Sequence, residues 1–88
     1  MKHASHPELV KRLKQAQGQL AALLTMFAEE RSCMDLAQQL QAVESIIHNA
    51  KRMLIQDHME GCIGDAVSEG GVSAEQALRE FKALAKYL

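Results

Sequence analysis

The stretch Cys33–Leu54, CMDLAQQLQAVESIIHNAKRML, decides the fold. From Leu36 through Leu40, Val43, Ile47 and Ala50 to Leu54, apolar residues recur at spacings of four and three, which aligns them along one stripe of an α-helix. Ser32, with Asp35 three residues later, supplies a cap just before this repeat. Gly61 and Gly64 mark its expected end. Toward the N-terminus, Leu9, Leu13, Ala16, Leu20, Leu23 and Phe27 repeat the same spacing on a helix beginning near Pro7. There Ser5 with Glu8 resembles a capping box, and Pro7 suits a first turn, where its missing amide proton is not needed. Toward the C-terminus, residues 65–72, with Gly70 and Gly71, read as a linker. Ser73 with Gln76 then caps a shorter helix through Leu78, Phe81, Leu84 and Ala85. The expectation is an all-α chain, 1–88 as a single domain, with helices at about 7–28, 34–62 and 74–87 and no strand pattern or internal repeat.

Composition supports this reading and narrows the function. Of 88 residues, 48% are hydrophobic, yet there is no Trp, one Tyr, two Phe and one Pro, while Ala, Leu, Gln, Glu and Lys abound. A chain this short buries a modest share of its surface, so oligomerisation is the natural source of further stability. The opening MKHASHPELV has no apolar core of signal-peptide length, and the run Leu20–Ala28 is too short to span a bilayer, so a cytoplasmic protein with no membrane association is expected. A net charge of −1 gives no general attraction to nucleic acid, so any DNA binding must rest on a local basic patch. No phosphate-cradling Gly-rich loop, paired catalytic carboxylates or Cys/His nucleophile arrangement is present, which argues against an enzyme.

The two cysteines, Cys33 and Cys62, in a reducing compartment point to metal binding or thiol reactivity before a structural disulfide. At about 100° per residue, Cys33, His58 and Cys62 project within roughly 40° of one another beside the apolar stripe of the second helix. His58 and Cys62 lie one turn apart and can reach one ligand. Cys33 cannot join them within its own chain, because a rise of about 1.5 Å per residue separates it from Cys62 by roughly 43 Å. Two copies of the second helix packed antiparallel about a two-fold near Ile46 and Ile47 bring Cys33 of one chain opposite residues near 60 of the other. Two thiolates and an imidazole form a soft, low-coordinate set that suits Cu(I), whereas Zn usually takes a fourth ligand; the chemistry leaves both open. Cys33 also opens a helix, where the dipole favours its thiolate. The same spacing fits cysteines that act as small buried hydrophobes, and H-x-x-x-C alone is a weak motif.

The segments RLKQAQGQL, CMDLAQQLQAVES and DHMEGC, in this order and at these separations, resemble the copper-sensing operon repressor family (CsoR/RcnR-like) over nearly the whole chain. The resemblance implies a three-helix subunit, an antiparallel homodimer forming a four-helix bundle, and a disc-like homotetramer that binds operator double-stranded DNA until its inducer arrives. Cys33, His58 and Cys62 match the Cu(I)-sensing branch. Nickel and cobalt sensors of the family use more nitrogen ligands, including an N-terminal His, an option that His3 and His6 keep alive beside the plainer one of a solvated terminus. Persulfide sensors keep both cysteines but lack the intervening His. A repressor sensing persulfide, Ni, Co or Zn, and a non-regulatory copper-binding bundle, stand as alternatives; two cysteines per chain give a buffering protein little capacity.

Lys11, Arg12 and Lys14 on the first helix, with Lys51 and Arg52 on the second, form the basic clusters that suit DNA phosphates, or else a solvated charged face. By the resemblance Arg12 matches a family position implicated in DNA binding, while Gln17 and Asn49 stand where copper-sensing relatives can carry Arg. Glu80 aligns with an acidic position that links the metal site to the rest of the molecule in the family. Ser32 replaces a Tyr found beside the first cysteine in some copper sensors. The implied mechanism is linkage: Cu(I) bound more tightly by a form with poor DNA affinity lowers DNA affinity by the same coupling free energy.

Overall fold

The computed structural model describes residues 4–67 and 73–88, and among these the side chains of Cys62, Ile63 and residues 65–67 are not described. Three helices account for almost all of it: α1 (His6–Ala28), α2 (Cys33–Val67) and α3 (Ala74–Ala85), with no strand among the described residues. The all-α expectation holds. No helix among the described residues is long and apolar enough to cross a membrane.

Two of the three expected caps form. Ser32 Oγ accepts from the Asp35 amide at 3.1 Å, and Ser73 Oγ accepts from the Gln76 amide at 3.1 Å, each satisfying an orphan first-turn donor. The box expected at Ser5 and Glu8 does not form. Ser5 Oγ is buried without a hydrogen-bond partner among the described residues, and Glu8 instead accepts from Arg12 at 3.3 Å. Pro7, one of the amides a cap would seek, has no proton to donate. The second helix also differs from expectation, because it continues through Gly61 and Gly64 to Val67. A helical glycine costs only about 1 kcal/mol relative to alanine, which does not end a helix unless a left-handed cap forms. The region expected as a linker therefore begins helical, and 68–72 lie outside the described residues.

Such a left-handed cap does close α1. Arg31 N donates to Met26 O (3.1 Å) and Glu30 N to Phe27 O (3.1 Å), the paired bonds of a Schellman motif. Its left-handed position is held by Glu30 at φ 56°, where glycine is the usual occupant. The motif satisfies the last carbonyls of α1 and turns the chain within residues 29–32 into α2.

Two compact units result, one comprising Pro7–Ala50 and the other Met1–His6 with Lys51–Leu88. In the first, α1 and the opening half of α2 form a hairpin. The apolar stripe read from the sequence divides into two rows of seven-residue spacing. Leu9, Ala16 and Leu23 on α1 and Val43 and Ala50 on α2 are buried, whereas Leu13, Leu20 and Phe27 on α1 and Leu40 and Ile47 on α2 remain 43–53% exposed. One row packs the hairpin and the other faces outward. In the second unit Ile55 is buried, while Leu54, Leu78 and Phe81 stay half-exposed.

Relieving Glu30 should stabilise the protein. Glu30→Gly is expected to raise unfolding free energy by about 1 kcal/mol in denaturant titration, since a non-glycine residue in the left-handed region costs of order 1–3 kcal/mol and glycine returns part of that as unfolded-chain entropy. An unchanged or lower midpoint would show that the cap carries no strain.

Candidate functional site

His58 lies on α2 eight or so residues after the second unit begins, where α3 supplies its partner. Its Nε2 stands 3.0 Å from Glu80 Oε2, with the His58 side chain 29% and the Glu80 side chain 40% exposed. Both belong to the same compact unit, with His58 supplied by α2 and Glu80 by α3, whose start is capped by Ser73. An ionised carboxylate only accepts hydrogen bonds, so the imidazole donates from Nε2. A neutral ring that donates from Nε2 carries its lone pair on Nδ1. The carboxylate thereby selects a tautomer and orients the ring, the usual way proteins prepare a histidine ligand.

The other two candidate ligands are placed differently. Cys62 follows His58 by one turn of α2, but its side chain is not among those described. Cys33 is the first residue of α2, belongs to the other unit, and is a free, exposed thiol. Around it Ser32 caps the helix, and Arg31 Nε and Nη2 donate to Asp35 Oδ2 at 3.3 and 3.2 Å. No group of three or more His, Cys, Asp or Glu side chains that could hold a metal occurs among the described residues. The described chain brings His58 and Glu80 together within one unit, and Cys33 belongs to the other.

The basic residues divide likewise. Lys11 and Arg12 line an open cleft of about 370 Å³ between α1 and α2, and Lys14 is exposed on α1. Lys51 and Arg52 are exposed on α2 in the other unit. Arg12 is engaged with Glu8, whereas Lys11 and Lys14 carry no ion pair among the described residues. Reasoning from sequence missed Gln15 and Ser45 as walls of this cleft; the signal available was the Glu8/Arg12 pair one turn apart, whose mutual contact marks the exposed side of α1.

The geometry on α2 and α3 offers a carboxylate-oriented histidine one turn of helix before a cysteine, and comparison with known proteins supplies the class. Residues 5–87 match the metal-sensitive transcriptional repressor family. The chain belongs to that family, which is regulatory and not enzymatic. Among its relatives, the copper-sensing transcriptional repressor RicR of Mycobacterium tuberculosis is 34% identical over 73 residues, covering 83% of this chain and 76% of RicR. The copper-sensing transcriptional repressor CsoR of Bacillus subtilis is 32% identical over 74 residues, covering 84% of this chain and 71% of CsoR. Among solved structures, the nickel-responsive transcriptional regulator InrS superimposes with a TM-score of 0.86 at 32% identity, covering 99% of this chain and 96% of InrS.

The His58–Glu80 contact yields a spectroscopic expectation. Under mildly alkaline conditions, long-range ¹H–¹⁵N correlation should show His58 predominantly as the Nε2–H tautomer, and Glu80→Ala should broaden it into a mixture. A wild-type ring protonated chiefly on Nδ1 would mean that Glu80 does not set its orientation.

Proposed function

We propose that this repressor senses Cu(I): it binds operator double-stranded DNA without metal and releases it when Cu(I) binds at a site shared between subunits, formed by Cys33 of one protomer with His58 and Cys62 of its partner. The observation that carries this reading is the His58–Glu80 contact at 3.0 Å one turn before Cys62. It prepares one nitrogen donor beside one thiolate, and the soft, three-donor set completed by a second thiolate suits Cu(I) better than the nitrogen-rich or four-coordinate preferences of Ni(II) and Zn(II). That two relatives are copper-sensing repressors agrees with it.

The half-exposed row of Leu13, Leu20, Phe27, Leu40 and Ile47 supports the shared site. Apolar side chains at heptad spacing on two adjacent helices are the face on which a second hairpin packs into a four-helix bundle. Antiparallel packing of that kind carries each Cys33 to the region of the partner helix near residue 60. Pairing of such dimers into a disc-like tetramer would repeat the Lys11, Arg12, Lys14, Lys51 and Arg52 clusters, concentrating positive charge on a chain whose own balance is −1. Such a protein works in the cytoplasm beside the DNA it controls. Glu80 couples the site to α3, so that metal binding at His58 is felt by an element outside the ligand set.

The nickel-responsive neighbour favours a second reading, in which nitrogen donors from the N-terminus, His3 or His6, enlarge the set. Inducer titration separates the two.

In anaerobic fluorescence-anisotropy titrations on the protein's own promoter DNA, Cu(I) should release the complex, while Ni(II), Co(II), Zn(II) and a persulfide donor should not. Release by another inducer alone reassigns the sensor. His58→Ala should lower Cu(I) affinity by more than the roughly 10–100-fold that loss of an outer-shell partner costs, with DNA binding by the metal-free protein retained. Unchanged Cu(I) release would remove His58 from the ligand set. Arg12→Ala should weaken metal-free DNA binding and flatten its salt dependence by about 0.9 in log–log slope, leaving Cu(I) affinity alone; undiminished binding would remove Arg12 from the contact set.

A further inference from the structure

The cleft between α1 and the opening half of α2 has a donor set that the basic residues alone do not describe. On the α1 side stand Glu8, Lys11, Arg12 and Gln15; on the α2 side stand Ser45, Ile46 and Asn49. Apart from Glu8, the polar side chains here all offer N–H or O–H donors: an ammonium, a guanidinium, two amides and a hydroxyl. The occupant complementary to such a concavity is an oxygen-rich anion. Glu8 is the exception, an acceptor of the same charge as that anion, and it currently occupies Arg12 Nε at 3.3 Å.

The cleft also faces the right way for a macromolecular partner. At about 100° per residue, its α1 residues point roughly 130° away from Leu13, Leu20 and Phe27, and its α2 residues roughly 170° away from Leu40 and Ile47. A second copy packed over the apolar row therefore leaves the cleft open. Glu8 and Arg12 are themselves substantially exposed, at 49% and 39%, so their pair is solvent-screened and weak enough to exchange.

Building on the DNA-binding reading above, we propose that this cleft seats one backbone phosphate of DNA, with Gln15, Ser45 and Asn49 as neutral donors beside Lys11 and Arg12, and that Glu8 is a built-in competitor that holds Arg12 back and limits affinity. Seating the phosphate transfers Arg12 from the Glu8 carboxylate to the phosphate oxygens and leaves Glu8 in solvent. A repressor that must let go of DNA when its inducer binds gains from such a limit, because excess phosphate affinity would hold it on any duplex irrespective of the inducer. The neutral amides and hydroxyl add hydrogen bonds that fix register on the backbone without adding to the salt-dependent attraction.

The test uses the full chain, metal-free, in anisotropy titrations across a salt series on its own promoter duplex and on an unrelated duplex of the same length. Glu8→Gln should tighten binding to both duplexes by roughly threefold at moderate salt, the worth of a weak exposed ion pair, with the number of phosphate contacts and so the log–log salt slope close to the wild type's. Glu75→Gln is the matched control: it breaks an equivalent exposed pair, Glu75 with Arg79 at 3.5 Å on α3, and makes the same change in net charge. A Glu8→Gln effect no larger than that of Glu75→Gln would overturn the competitor role. Asn49→Ala should weaken binding about two- to tenfold with the salt slope unchanged, as loss of a neutral hydrogen bond requires. Wild-type affinity in Asn49→Ala would overturn the seat. If the wild-type protein binds neither duplex, the repressor reading falls and the cleft assignment with it; if it binds but the variants behave as wild type, the cleft assignment alone falls.

Discussion

Two rows of apolar side chains, each repeating every seven residues on α1 and again on α2, impose the constraint from which the rest of this structure follows. The row of Leu9, Ala16, Leu23, Val43 and Ala50 is consumed in holding the hairpin together. Its small members let the two helices approach closely, and burial of each leucine contributes about 1.5–3 kcal/mol. The row of Leu13, Leu20, Phe27, Leu40 and Ile47 then has nowhere to go within its own unit and stays half-exposed. A hairpin that uses one row inside and shows the other outside presents a face of the sort that partner helices cover. The polar cleft lies on the opposite side for the same reason, since helix phase that assigns two sectors to apolar residues leaves the remainder to Lys11, Gln15, Ser45 and Asn49.

In the proposed Cu(I) site, the length of α2 governs the sensing chemistry. A 35-residue helix carries Cys33 at its first position and His58 and Cys62 toward its other end. This is a poor way to build a metal centre in one chain and an effective way to make a centre depend on two. Metal binding at such a site reports on how subunits are arranged, which is the property a DNA-releasing sensor needs. In the same proposal the Glu80 carboxylate extends that dependence to α3, because the ring it touches is the one that would take the metal.

Electrostatics on the hairpin is balanced closely. With a net charge of −1, the chain has no general field to draw it to DNA, and one of its candidate contact residues, Arg12, is already engaged by Glu8. In the proposed seat, contact with phosphate depends on exchange within a weak local pair and on neutral donors nearby. A low intrinsic affinity, multiplied over several subunits, is easier for a ligand to reverse than a few strong contacts.

The residues alone determined the helices, because apolar spacing and caps are local properties: Ser32 and Ser73 cap α2 and α3 as their patterns imply. They also gave the expectation that Cys33 and Cys62 of one chain do not meet, since both fall on one helical run and rise per residue is a local property. Other features were decided only in three dimensions. The failure of the Ser5 cap, the passage of α2 through Gly61 and Gly64, and the left-handed Glu30 each turned on competition between local preferences of similar size. The contact of His58 with Glu80, 22 residues away, and the cleft that sets Asn49 beside Arg12 required α3 and α1 to be placed against α2. Which of two apolar rows closes the hairpin was likewise invisible in the spacing, because both rows satisfy the same periodicity and only the packing of one helix on the other distinguishes them.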